Sequence, residues 1–302
     1  MHRNKSGISG FLAALGAGLQ WRLLLIWLVL MLIPVAVAAW PMSAALGSIL
    51  DHSVHSKAWA QSFDALGMGD AFVQLAKWMP AIGAAAAAGM MLTVLLSPFL
   101  TGMIVSSARS THRLGFGELM HGGLREYWRM VRVLLWSLVG WGIAIGIGAV
   151  AMHMASEHAE KAILESSVDL WNHVAMAVLI ILLVIAHAIA EATRAQFASD
   201  PALGSATRAW GRGIKMVFGR PLATFGMYLG VSTIGFVLVL LFGMLRIRVP
   251  AAGVGGMVLA FVLAQLVVLS LAWMRIARIH ALACVPRNRR QASGLSASPA
   301  MV

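Results

Sequence analysis

Residues 23–46 read LLLIWLVLMLIPVAVAAWPMSAAL, a run of 24 positions without one charged side chain. The hydrocarbon core of a bilayer is about 30 Å thick, so a helix rising about 1.5 Å per residue crosses it in about 20 residues. A helix also satisfies its own backbone hydrogen bonds, which hydrocarbon cannot do. The segment Leu23–Leu46 is therefore predicted to be a transmembrane helix.

The rest of the chain repeats this pattern. Of its 302 residues, 60% are apolar and only 11% are charged, whereas a soluble domain carries about a quarter charged residues. The mean hydropathy is +0.84. Five further segments are long and apolar enough to cross a bilayer: Pro80–Ser106, Val131–Met154, Asn172–Ala190, Leu222–Leu245 and Gly253–Met274. The predicted fold class is an all-α polytopic membrane protein with six transmembrane helices.

The basic residues predict how these helices are oriented. Eighteen of the 23 lysines and arginines lie at the N-terminus, in the second and fourth connections, and after the last span. Short loops rich in lysine and arginine stay in the cytoplasm, so both termini are predicted to be cytoplasmic. The net charge of +12 follows from this topology, because it is spread over short segments between apolar runs, and no nucleic-acid partner is predicted.

An amphipathic stretch precedes each odd-numbered span, with apolar residues at the spacings of three and four expected of a helix in the cytoplasmic interface. The basic residues on the opposite faces are predicted to contact anionic lipid: Arg125, Arg129, Arg208, Arg212 and Lys215. Each stretch and its two spans form one of three predicted copies, namely residues 1–106, 107–194 and 195–285. Together they make a single membrane domain over 1–285, and 286–302 is predicted to be a disordered tail rich in arginine, serine and alanine.

The run Phe116-Gly117-Glu118-Leu119 through Trp128-Arg129 resembles a recurrent segment of uncharacterised six-span bacterial inner-membrane proteins. Related domains are similar to the membrane region fused to some glycerophosphodiester phosphodiesterases. The resemblance covers most of the chain and implies a location in the bacterial inner membrane. No phosphodiesterase catalytic domain is visible in the sequence, so the resemblance implies no catalytic residue.

Ionisable residues inside a span indicate a site, because burying them in hydrocarbon is costly. His187 and Glu191 lie four residues apart in the fourth span and therefore share one helical face. Glu191 is predicted to reach Arg194 on its own helix or Arg275, which holds the matching position in the third copy. Two interpretations stay open: a proton- or ion-linked site near the cytoplasmic mouth, or an ion pair that fixes helix packing.

Two other features of the sequence are candidate sites. Pro98 interrupts the second span, where it either kinks the helix, as in transporters, or is simply tolerated. Asp51, His52 and His55 offer only two imidazoles and one carboxylate, so no metal site is predicted. Glycine-rich phosphate loops, nucleophile elbows and paired cysteines are absent from the sequence. No catalytic residue and no cofactor are therefore predicted.

These patterns favour a non-enzymatic inner-membrane protein that organises, senses or moves lipids or small amphiphiles. One alternative is a secondary transporter or permease component with Pro98, His187 and Glu191 in its pathway. Another alternative is an intramembrane enzyme that acts on lipid. The expected partner is the lipid bilayer with its anionic lipids; a second copy of the chain and an unidentified protein partner both stay open.

Overall fold

The computed structural model describes residues 2–51, 65–110, 112–161, 165–250 and 253–296. Within these ranges the chain forms nine α-helices and no strand. The helices are α1 (His2–Gly18), α2 (Trp21–Leu50), α3 (Ala65–Ala76), α4 (Met79–Arg109), α5 (Phe116–Lys161), α6 (Glu165–Ser199), α7 (Ala206–Gly219), α8 (Pro221–Arg248) and α9 (Gly253–Ser296).

Six of these helices, α2, α4, α5, α6, α8 and α9, are long and apolar enough to cross a membrane. Only 17–50% of the residues in their most apolar windows are buried inside the protein. The remaining apolar side chains need an apolar solvent, which a bilayer supplies and water does not. The predicted all-α polytopic fold with six spans is confirmed.

The second amphipathic stretch and the third span form one continuous helix, α5, of 46 residues. The sequence between Tyr127 and Val131 contains no glycine or proline that would break it. The third stretch, by contrast, is a separate helix, α7, because Pro221 opens α8 at its first helical position.

Two element boundaries differ from those that the sequence predicts. The connection between the first two spans contains a helix, α3, which was not predicted from the sequence. Helix α9 continues to Ser296, ten residues past position 286, at which the disordered tail is predicted to begin. Arginine, glutamine and alanine in this segment have high helix propensities, which favours continuation of the helix. Residues 297–302 lie outside the described residues.

The chain divides into two compact units. The smaller unit, Leu25–Ser97, contains most of α2, all of α3 and the first part of α4. Within it Gly89 of α4 lies against the Pro34 carbonyl and Ala38 of α2, so closely that an added Cβ would collide with both. Small residues allow this close approach of helices in a membrane.

The larger unit, Met1–Leu24 with Pro98–Val302, contains α1, the end of α4 and the helices α5 to α9. Helix α5 packs along α6 and α8 packs along α9, while α9 also contacts α6 and α1. Helix α7 lies against α6, α5 and α8. One apolar cluster joins α4, α5, α6 and α7, and a second joins α1, α8 and α9.

Each of the two shorter helices of the larger unit, α1 and α7, has a glycine at its contact with a span. Gly18 of α1 lies against Trp273 and Ala277 of α9. Gly213 of α7 lies against Ile189 and Thr193 of α6, which stand 84 positions before Trp273 and Ala277. These contacts occupy corresponding positions of two predicted copies; the threefold repeat itself stays a prediction.

Candidate functional site

A group of polar side chains from four helices lies inside the larger unit, and we call it the polar cluster. Its members come from the end of α4, from α6, from α8 and from α9: Thr101, His187, Glu191, Arg194, Tyr228, Ser232, Arg275 and Arg278. The structure thus brings together all four residues that the sequence predicts for a polar site.

Glu191 is the only carboxylate of the polar cluster, and its side chain is 1% exposed. Its Oε1 accepts a hydrogen bond of 2.7 Å from Arg194 Nη1, one helical turn later. His187 Nε2 lies 3.9 Å from the same oxygen, one turn earlier. The helical period sets this arrangement, because residues three and four apart share a face.

The α8 side of the cluster was not predicted from the sequence. Tyr228 Oη is hydrogen bonded to His187 Nδ1 at 2.8 Å, and its ring lies 5.5 Å from the Arg278 guanidinium carbon. Arg278 Nη1 donates to Ser232 Oγ at 3.4 Å. Tyr228 and Ser232 are four residues apart in the fifth span, and that spacing is the signal that could have identified them.

Of the two predicted partners of Glu191, Arg194 donates the hydrogen bond, and Arg275 links the cluster to α4. Its Nη2 donates to Thr101 Oγ1 of α4 at 2.8 Å, while its charge acts on Glu191 electrostatically. Three guanidinium groups therefore surround one carboxylate, an excess of positive charge inside the protein. Such a cluster can fix the packing of four helices, and it can also hold an anion or pass a proton through Glu191 and His187.

A second buried carboxylate, Glu126, lies on the first part of α5 and is fully buried. Arg109 Nη1 donates to its Oε1 at 2.6 Å, and Arg129 Nη1 lies 3.2 Å from its Oε2. Arg125 Nε is 3.7 Å from Oε1. We call these four residues the Glu126 cluster. Arg125 and Arg129 are predicted lipid contacts, whereas the carboxylate between them is not among the predicted site residues.

The remaining predicted lipid contacts lie on α7. Arg208, Arg212 and Lys215 are exposed, while Ala206, Ala209, Gly213 and Met216 on the opposite side are buried. Ser205 caps the helix by accepting a hydrogen bond from the Arg208 backbone N–H. Arg212 also donates to Asp200 at 2.9 Å.

Pro98 is buried within α4, which runs unbroken through it from Met79 to Arg109. The boundary between the two compact units falls between Ser97 and Pro98. Of the three candidate metal ligands in the sequence, His52 and His55 lie outside the described residues. Within the described ranges, no three His, Cys, Asp or Glu side chains are grouped so that they could hold a metal ion.

Comparison with known proteins gives no relative. No model of a known protein family matches the chain, and no significant match is found among curated proteins or solved structures. The resemblance to the membrane region of some glycerophosphodiester phosphodiesterases therefore stays a prediction. Any functional conclusion has to come from the two carboxylate clusters and from the surface around them.

Proposed function

We propose that this chain is a non-enzymatic membrane protein that binds anionic lipids or small amphiphiles and organises, senses or moves them. The observation that carries the proposal is the surface of the first part of α5. Phe116, Met120, Leu124 and Trp128 form a row of side chains at a spacing of four residues, and each is 40–70% exposed. We call this row the apolar row.

The apolar row lies beside cationic side chains. Arg125 and Arg129 are 65% and 35% exposed, and they follow Leu124 and Trp128 directly in the sequence. Exposed apolar side chains are unfavourable in water by about 25 cal/mol per Å², so they favour a partner that is itself apolar. Tryptophan and arginine side by side suit the headgroup layer, where an apolar body and a polar tip are both satisfied.

The same combination occurs on α7. Ile214 and Phe218 are exposed next to the exposed Arg212 and Lys215. The predicted topology, with both termini in the cytoplasm, directs both surfaces to the cytoplasmic leaflet of a bacterial inner membrane. This leaflet is negatively charged, and each nearby lysine or arginine contributes about 1 kcal/mol to attraction. Two helices of this kind support a function at the lipid surface.

Lipid retention by the purified full-length chain tests the proposal. We expect phosphatidylglycerol to be retained in preference to phosphatidylcholine of the same acyl chains, with bound lipids counted by native mass spectrometry. The double substitution Arg125→Gln with Arg129→Gln should weaken phosphatidylglycerol binding roughly 30-fold, because two arginines together contribute about 2 kcal/mol.

The matched control is Arg246→Gln with Arg248→Gln, which removes two positive charges from the last turn of α8, on the predicted outer side. We expect this variant to retain phosphatidylglycerol as the unchanged chain does. An equal loss of phosphatidylglycerol retention in both double variants would mean that retention depends only on the net charge of the protein. A chain without preference for phosphatidylglycerol over phosphatidylcholine would refute the proposal.

The polar cluster favours one second candidate, a proton-linked secondary transporter. Glu191 Oε2 has no hydrogen-bond partner among the described residues, and the neighbouring His187 is 29% exposed. A buried carboxylate with a spare oxygen beside a partly accessible imidazole is a feature of proton pathways in transporters. Substitution of Glu191 separates this candidate from a purely structural role, as set out in the Discussion.

A further inference from the structure

A cavity of about 390 Å³ lies between the end of α4 and the first part of α5, within the larger unit. Its lining residues are Ser106, Arg109, Leu114, Gly117, Glu118, His121, Gly122 and Arg125. A second cavity of about 120 Å³ adjoins it, because Leu114 lines both. Arg22 and Arg113 line the smaller cavity. Four arginines and a histidine therefore line these two neighbouring cavities.

Two of the residues that line the larger cavity each have a buried polar atom without a hydrogen-bond partner among the described residues. These atoms are Arg109 Nη2 and Ser106 Oγ. The Arg109 side chain is only 10% exposed, and its other donors are engaged: Nη1 with Glu126 and Nε with the Phe197 carbonyl at 2.8 Å. Buried polar groups in proteins are nearly always hydrogen bonded, so these two atoms indicate an acceptor that enters the cavity.

The charges next to the cavity favour an anion as that acceptor. Behind the wall, Glu126 faces the three guanidinium groups of Arg109, Arg125 and Arg129, so one carboxylate offsets three positive charges. A guanidinium group with a spare N–H forms its strongest hydrogen bonds with carboxylate or phosphate oxygens.

Glu118 is the acidic residue of the cavity lining, and both of its carboxylate oxygens already have a partner. Its Oε2 accepts a hydrogen bond of 2.6 Å from the Gly115 backbone N–H, and its Oε1 lies 3.7 Å from His112 Nε2. Its side chain is also more than half exposed, so water screens its charge. Glu118 is therefore held at the start of α5 by its own hydrogen bond, and the net charge of the side chains around the cavity stays positive.

The neighbouring helix surface indicates what the anion is attached to. Gly117, His121 and Arg125 line the cavity at a spacing of four residues, and each directly follows a member of the apolar row. The two rows are neighbours on one helix, about 100° apart around its axis. A ligand with its anionic group in the cavity can thus lay an apolar chain along Phe116, Met120 and Leu124.

We propose that this cavity binds the phosphate of an anionic lipid headgroup, with the acyl chains along the apolar row. The inference rests on the proposed function and adds its binding site and ligand chemistry. Arg109 Nη2 and Ser106 Oγ donate to the phosphate oxygens from the buried wall. Arg125 and His121 approach the phosphate from the exposed side.

A filling substitution tests the cavity without removing charge. Gly117 lines the cavity, and a Cβ added there meets no atom within 4 Å, so Gly117→Leu adds an apolar side chain at the cavity lining with open space for its first carbon. Gly211 on α7 has the same open surroundings and lines neither cavity, so Gly211→Leu is the matched control. We expect Gly117→Leu to lower phosphatidylglycerol retention roughly tenfold, the loss expected for one charge-assisted hydrogen bond. Gly211→Leu should leave retention unchanged.

The probes are phosphatidylglycerol, phosphatidylcholine of the same chains, and glycerol phosphate, each added to the full-length chain in detergent. Thermal unfolding followed by tryptophan fluorescence checks that each variant folds. If Gly117→Leu does not fold, His121→Ala at the exposed side of the cavity takes its place and should also weaken retention.

The outcomes separate this inference from the proposed function. A chain without preference for phosphatidylglycerol refutes the proposed function itself. Selective retention that survives Gly117→Leu and His121→Ala overturns the cavity site alone. Equal binding of glycerol phosphate and phosphatidylglycerol overturns the lipid assignment, because the apolar row would then contribute nothing and the ligand would be a soluble phosphate ester.

Discussion

Glu126 and Glu191 are both buried carboxylates followed by an arginine three residues later, yet the protein holds them in different ways. Both oxygens of Glu126 accept hydrogen bonds from arginine: Oε1 from Arg109 and Oε2 from Arg129. Glu191 accepts from Arg194 through Oε1, while its Oε2 has no hydrogen-bond partner among the described residues. Glu191, the carboxylate in the more buried surroundings, therefore accepts fewer hydrogen bonds from arginine than Glu126 does.

The difference lies in where the surrounding arginines stand. Arg125 and Arg129 are partly exposed, so water or a lipid phosphate can satisfy them when Glu126 does not. Arg194 and Arg278 are buried and have no such alternative. Removing one member of a buried ion pair leaves an uncompensated charge, which is far more costly than losing an exposed pair. We therefore expect the polar cluster to support the fold, and the Glu126 cluster is the one that we propose to be open to a ligand.

The largest expected effect is that of Glu191→Gln. The substitution keeps the shape of the side chain but removes the only carboxylate among three guanidinium groups, and should destabilise the protein by about 3–5 kcal/mol. Thermal unfolding of the detergent-solubilised chain, followed by tryptophan fluorescence, measures it.

An unchanged unfolding midpoint for Glu191→Gln would contradict a structural role of the polar cluster. If the folded variant also lost proton-coupled uptake in liposomes that the unchanged chain shows, the transporter candidate would be favoured. Arg275→Gln gives a second test, since a transport role predicts loss of uptake by both variants without loss of folded protein.

A smaller effect is expected for Glu126→Gln. Arg109 loses its carboxylate partner, but the glutamine amide oxygen can still accept its hydrogen bond. Arg125 and Arg129 are partly exposed, so water can accept their hydrogen bonds instead. The expected destabilisation is about 1–3 kcal/mol, measured in the same unfolding experiment. If the unfolding midpoint of Glu126→Gln were lower than that of Glu191→Gln, Glu126 rather than Glu191 would be the carboxylate that contributes more to stability.

The smallest effect is expected for Tyr228→Phe. It removes the hydroxyl that contacts His187 but keeps the ring near Arg278, so about 1 kcal/mol should be lost. A loss as large as that of Glu191→Gln would mean that the hydroxyl, rather than the ion pair, holds the cluster together.

The parts of the polar cluster that could be predicted from sequence are the local ones. His187, Glu191 and Arg194 follow from the helical period alone, since the three residues share a face of one helix. The contact between Arg275 and Thr101 joins residues 174 positions apart, and no spacing rule reaches that far. Tyr228 was overlooked because tyrosine in a span is ordinarily assigned to packing or to the interface.

The six spans could be predicted because length and hydropathy alone determine them. The Glu126 cluster could not, because a carboxylate between Arg125 and Arg129 on a surface helix is ordinarily a solvated residue. Its burial depends on Gly122 and Gly123, which let α5 approach Ser106 and Met103 of α4. That approach is a tertiary contact between segments that sequence analysis treats separately.

The unbroken course of α5 has a mechanical consequence. Its 46 residues make a rod of about 69 Å, more than twice the thickness of the hydrocarbon core. The helix contains no proline, which is a common cause of sharp kinks. We therefore expect a tilt of its first turns to be carried along the helix and to move its other end at Lys161.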